Sequence, residues 1–138
     1  MAAIGESGAG KSTLATLCCG RPAQATLLTD EIVHFGEGGV FYGTPFRSDA
    51  DNAGSLGPAR LTALLLLTKG DRESLEPVAP PEAVQYLLGQ MYLPAISVVS
   101  QGELRRRVMA LVDVTGVQRL TFRKDPAVGA FLRDRSVA

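Results

Sequence analysis

The sequence predicts an α/β fold, and three observations carry that expectation. A glycine-rich stretch, Gly5-Glu6-Ser7-Gly8-Ala9-Gly10-Lys11-Ser12, lies between a short apolar start and an amphipathic segment, the order strand, loop, helix. Leu64, Leu65, Leu66 and Leu67 form an unbroken apolar run of strand length. Two segments with apolar residues three and four apart follow it, and strand-like runs interleaved with helix-like ones argue for layered α/β architecture.

Taken in order, Ala2 to Ile4 has room for only the end of a strand. Lys11 to Cys19 predicts a helix with Leu14, Leu17 and Cys18 on one face, stopped by Gly20 and Pro22. Ala25 to Thr29 predicts a short buried strand ending at Asp30-Glu31. Ile32 to Phe35 and Val40 to Gly43 flank Gly36-Glu37-Gly38-Gly39, which is a β-hairpin pattern. Thr44 to Pro58 is rich in Gly, Pro, Ser, Asp and Asn and predicts a long loop. Leu61 to Thr68 is the buried-strand candidate, although periodicity alone leaves a short buried helix open.

Pro80-Pro81 opens a helix in which Val84, Leu87, Leu88 and Met91 share a face. Ser100-Gln101-Gly102-Glu103 fits a capping box ahead of the stripe Leu104, Val108, Leu111. Val117 to Lys124 predicts a late strand, and Asp125-Pro126 starts a last short helix carrying Val128, Phe131 and Leu132. No repeat or linker divides the chain, so residues 1–138 are expected to form a single domain with a mixed sheet, a β-hairpin and flanking helices.

Composition excludes some partners. Lys plus Arg and Asp plus Glu both number 14, so no net field draws the chain to nucleic acid or an anionic membrane. Only three residues are lysine (Lys11, Lys69 and Lys124), and the first sits in the glycine-rich stretch. Cys18 and Cys19 are adjacent, and neighbouring helical side chains diverge, so reduced thiols are expected. The longest apolar runs, Ala63 to Leu67 and Val108 to Val112, are too short to span a bilayer, and no signal-peptide pattern opens the chain. A cytoplasmic location is the expectation.

Gly5-x-x-x-x-Gly10-Lys11-Ser12 is a complete Walker A match. Glycines let successive backbone N–H groups turn inward around phosphate oxygens, and the helix that follows points its positive end at the same anion. Gly5, Ser7, Gly8, Ala9, Gly10, Lys11, Ser12 and Thr13 are therefore the expected nucleotide-binding set. Lys11 is suited to the β- and γ-phosphates and the Ser12 hydroxyl to Mg²⁺, with Thr13 toward an α-phosphate. This chain's own composition would produce the match by accident in roughly one case in a few hundred. Asp30-Glu31, at the end of an expected strand, is the second chemical feature: a carboxylate there can position Mg²⁺ or take a proton from an attacking hydroxyl. Leu27 to Glu31 also passes for a loose Walker B, whose glutamate would activate water.

With these residues on view, the chain resembles the catalytic domain of HPr kinase/phosphorylase, and more closely the short HPr-kinase-like serine kinases, some of which accompany peptide-maturation systems such as those for lasso peptides. The resemblance rests on GESGAGKSTL, LLTDEIVHF and VFYGTPF, with ARLTALLLL and LEPV agreeing in order. It implies the P-loop kinase fold shared with phosphoenolpyruvate carboxykinase, ATP and Mg²⁺ as cofactors, and a peptide or small-protein serine as phosphoacceptor. It also implies Asp30 as general base beside Lys11 as the other catalytic residue, with Glu31 and Ser12 at the metal. Glu31 departs from the paired aspartates of the bifunctional enzymes. The family has a full strand entering the loop where this sequence has only Ala2 to Ile4, so a domain lacking upstream strands is expected. The alternatives are a P-loop ATPase or small-molecule kinase, and a nucleotide-binding domain without turnover; an oligomer is compatible with each.

Weaker candidates have plainer readings. His34 is expected as a partly exposed cross-strand residue, and Arg47 is a loop arginine with a possible phosphate-clamping role. Arg105, Arg106 and Arg107 spread over most of a helical turn and predict a solvated face. Tyr42, Tyr86 and Tyr92 are expected to pack.

Overall fold

Consecutive leucines point to alternate faces of a strand, so a run of them is stable only where both faces are covered. The computed structural model, which describes residues 1–19, 25–29, 31–44, 57–91 and 98–136, meets that demand at its centre. In chain order the strands are β1 (Ala2–Ile4), β2 (His34–Phe35), β3 (Val40–Tyr42), β4 (Pro58–Arg60), β5 (Leu64–Lys69), β6 (Ser74–Pro77) and β7 (Val117–Phe122). The helices are α1 (Lys11–Cys19), α2 (Pro80–Gln90), α3 (Gln101–Thr115) and α4 (Ala127–Ser136), and a 3₁₀ turn spans Glu37–Gly39.

One sheet has the order β1-β5-β7-β6, with β1, β5 and β7 parallel and β6 antiparallel to β7. Leu64 and Leu66 of β5 enter a core with Ala83, Val84 and Leu87 of α2 and Val108, Leu111 and Val112 of α3. Leu65 and Leu67 enter the opposite core, with Leu14 of α1, Leu120 and Phe122 of β7, and Val128 and Leu132 of α4. The architecture is mixed α/β, a mixed sheet flanked by helices.

A second sheet, β2-β3-β4, is antiparallel. Its first two strands form the hairpin expected around the glycines, with Phe35 stacked on Phe41 at 5.6 Å between ring centroids. Phe41 is buried in the core shared with α2 and α3, which docks this small sheet onto the larger one.

Helix starts follow local chemistry. The Ser100 hydroxyl accepts a hydrogen bond from the Glu103 backbone N–H at 3.2 Å. The Glu103 carboxylate accepts from Arg106 and Arg107, and those bonds hold its carboxyl below the usual range. Arg105, Arg106 and Arg107 are all exposed, as a solvated face requires. Asp125 caps α4 by accepting from the Ala127 N–H at 2.8 Å.

Residues 25–29 form no strand, which corrects the expectation for that segment. Ala25 and Thr26 are exposed, and the Thr29 hydroxyl bonds to Thr44 and to the Ile32 carbonyl instead. β5 pairs with β1 on one side, and no strand pairs with it on the other among the described residues. Most of the long loop, residues 45–56, lies outside the described residues, as do Asp30, Arg47 and Tyr92. Among the described residues no helix is long and apolar enough to cross a membrane.

Leu120 is 0% exposed at the meeting of β7, α1 and α4. Leu120→Ala is predicted to cost about 2–5 kcal/mol, read as a shift in the urea midpoint at constant slope. A cost below ~1 kcal/mol would mean that this core closes around the lost volume. Cys18 and Cys19 are unbridged, and burial pushes both thiols above their ordinary range. At about pH 8 iodoacetamide should therefore alkylate the native protein more slowly than the urea-unfolded chain, with the native rate still climbing at more alkaline pH. Equal rates would contradict the burial.

Candidate functional site

β1 ends at Ile4, and the chain reaches α1 at Lys11 through a turn that only glycine permits at two points. Gly8 and Gly10 have φ of +82° and +103°, where a Cβ is strained. At Gly10 space is short as well, since a Cβ would stand 3.0 Å from Cζ of Phe122. Ala9 braces the turn by donating its N–H to the Glu6 carbonyl at 3.1 Å, and its methyl packs toward the α1–α4 core. Gly5 is buried, and a Cβ on it would approach that of Ala9 to 2.7 Å.

The result is a cleft of about 510 Å³. The loop contributes Gly5, Ser7, Gly8 and Gly10 to its walls, and the first turn of α1 contributes Lys11, Ser12 and Thr13. That turn contains no acidic side chain, so no residue of the helix's own first turn offsets its positive end. The Lys11 ammonium donates to the carbonyls of Gly5 and Glu6 at 2.7 and 2.9 Å. An ammonium has three N–H donors, so one remains for a ligand. A cradle of turned backbone, a helix N-terminus and a tethered cation is chemically suited to an oxyanion.

Glu31 lines the same cleft, although no strand leads to it. Lys11, Ser12, Thr13 and Glu31 are thus brought together from two separate segments. Ser7, Gly8 and Gly10 join them, whereas Ala9 supports the loop from behind. The Ser12 hydroxyl and Glu31 carboxylate are the oxygen donors that suit Mg²⁺, which takes one or two protein oxygens and fills its shell with water and phosphate. Among the described residues no three His, Cys, Asp or Glu gather as a protein-only metal cage.

One lining residue was not legible in the motif: Gln90, at the end of α2. A single glutamine 79 positions beyond Lys11 carries no pattern of its own. Tyr86, one helical turn earlier, brings its hydroxyl to 4.0 Å from where a Gly5 Cβ would stand, so α2 flanks the loop. His34 stands away from these walls, exposed and opposite Tyr42, with ring centroids 5.9 Å apart.

No protein-family model matches the chain, and no curated protein sequence or solved structure matches it at a significant level.

The two strained glycines give a graded prediction. Gly8→Ala should cost about 1–2 kcal/mol of stability, the backbone strain alone, because nothing lies within 4 Å of its Cβ position. Gly10→Ala should cost more, since Phe122 must also yield. Urea denaturation of both variants measures the difference, and equal costs would show that the Phe122 contact relaxes without penalty.

Proposed function

We propose that the chain is an ATP-dependent phosphotransferase that moves the γ-phosphoryl group onto a serine hydroxyl of a peptide or small protein. The observation that supports this reading most is the gathering of Lys11, Ser12, Thr13 and Glu31 around the glycine cradle. The loop amides and the start of α1 hold the polyphosphate, and Lys11 neutralises charge that builds on the transferring group. The Ser12 hydroxyl and the Glu31 carboxylate would hold Mg²⁺, which would supply neutralisation of phosphate charge. The serine Oγ–P bond forms as the bond from the γ-phosphorus to the bridging oxygen breaks, the serine proton passes to the Asp30 carboxylate, and ADP departs. The role of Asp30 rests on the resemblance to HPr kinase and on its place next to Glu31. A cytoplasmic setting, where ATP and reduced thiols coexist, completes the proposal.

Glu31 also favours a second reading. Among the described residues it is the carboxylate that lines the cleft, and from there it would orient water or a small hydroxyl acceptor, as in an ATPase or small-molecule kinase. Mass spectrometry after incubation with Mg·ATP and candidate peptides separates the two. A serine gaining one phosphoryl group supports the protein-kinase reading; phosphate release without labelled serine supports the other. Binding with neither outcome identifies a nucleotide-binding domain without turnover.

Lys11→Ala is predicted to abolish turnover, and Asp30→Asn to leave Mg·ATP affinity nearly unchanged while lowering turnover by roughly 10²–10⁴, the usual worth of a general base. Calorimetry and a phosphorylation assay measure the two quantities separately. Loss of nucleotide affinity in Asp30→Asn would remove it from the base role. A folded wild-type protein that gives no heat with Mg·ATP and no competition by ADP would overturn the proposal as a whole.

A further inference from the structure

All three lysines of the chain converge on the glycine loop. Lys11 belongs to the cleft already described. Lys69 and Lys124 line a second cleft, of about 320 Å³, which shares Gly8, Gly10 and Thr13 with the first. The reason is topological: β1, β5 and β7 are parallel, so Ile4, Lys69 and Phe122 close their strands at the same end of the sheet. Arg123 and Lys124 then follow β7 directly.

The charge in this second cleft is one-sided. Lys69, Arg123 and Lys124 line it, and among the described residues no carboxylate does. Arg123 is committed to Glu73 at 3.2 Å and more loosely to Asp125 at 3.8 Å. Lys69 and Lys124 are exposed and enter no ion pair among the described residues. The one aromatic in the wall among the described residues, Phe122, is buried against Gly10 and offers no open ring for a nucleobase. Two uncommitted ammonium groups beside a phosphate-type loop suit an oxyanion.

We infer that Lys69 and Lys124 form a second phosphate-binding subsite, continuous with the glycine loop through Thr13. This rests on the reading of the loop as a phosphate cradle. The phosphate belongs either to the nucleotide, as the α-phosphate whose β- and γ-neighbours occupy the first cleft, or to a separate small phosphorylated molecule. The chemistry is shared, and the test separates the sources.

Calorimetric titrations with pyrophosphate, ADP and inorganic phosphate compare the wild-type chain with the double variant Lys69→Gln/Lys124→Gln. Both side chains are exposed, so the fold should survive, and thermal melting checks this. If the α-phosphate sits there, ADP affinity falls about tenfold, the sum of two partly exposed charge contacts, while pyrophosphate affinity holds within about twofold. If the source is a separate molecule, the ADP-saturated wild type binds inorganic phosphate and the double variant does not. In either case Lys69→Arg/Lys124→Arg should restore most of the lost affinity. Unchanged binding of all three probes overturns the inference, as does equal loss of ADP and pyrophosphate, which would make the lysines only a background field for the first cleft. A wild-type chain that binds neither pyrophosphate nor ADP sinks the loop reading itself. Phosphate binding by Lys11→Ala, with and without the two lysines, then decides the second cleft alone.

Discussion

Three register pairs, Ala2 with Leu64, Ala3 with Leu65 and Ile4 with Leu66, determine where the glycine loop begins. Everything at the site depends on them, because β1 has no other strand partner among the described residues. β5 can bear that load since it is anchored on both faces, by α2 and α3 on one side and by α1 and α4 on the other. The loop's far end is secured differently. Phe122, from the end of β7, lies against Gly10, where a Cβ would stand 3.0 Å from its Cζ. A flexible-looking glycine stretch is therefore located from two strands of one sheet.

The two helical layers divide the labour. α1 is the working helix, with Leu14 buried and its first turn given to the cleft, and α4 covers its inner side through Val128 and Leu132. α2 and α3 make the larger core and supply the carboxylates of three ion pairs, Glu82 with Arg119 of β7 and Glu103 with Arg106 and Arg107, at the surface where such pairs contribute little to stability. α2 is the exception to this separation, because its last turn brings Gln90 to the cleft and Tyr86 beside Gly5.

Features set by local chemistry were legible in the sequence. The leucine run, the Ser100 cap, the proline start of α2, the glycine hairpin and the loop-to-helix junction at Lys11 each appear where short-range pattern places them. What pattern missed was decided by distant partners. β4 and β6 are three- and four-residue edge strands containing proline and charge, with too little alternation to announce themselves. The segment before Glu31 had strand-like composition, yet residues 25–29 pair with no strand, and the Thr29 hydroxyl bonds to the Ile32 carbonyl instead. Glu31 lines the cleft all the same, although the strand expected to lead to it does not form. Lys69 and Lys124 were visible only as isolated cations; their shared position at strand ends is a property of the topology, not of the string.

β1 is a three-residue edge strand, and it continues without interruption into the loop backbone. Edge strands of that length fray at low free-energy cost, so the seam between Ala2–Ile4 and β5 is a natural first opening. A molecule that grips the loop must also resist that fraying, and by reciprocity a well-zipped β1 must favour the molecule. The three-residue margin of the sheet and the geometry of the cradle thus draw on a single free energy, so any molecule that came to fill the cradle would act as a structural component of the strand that presents it.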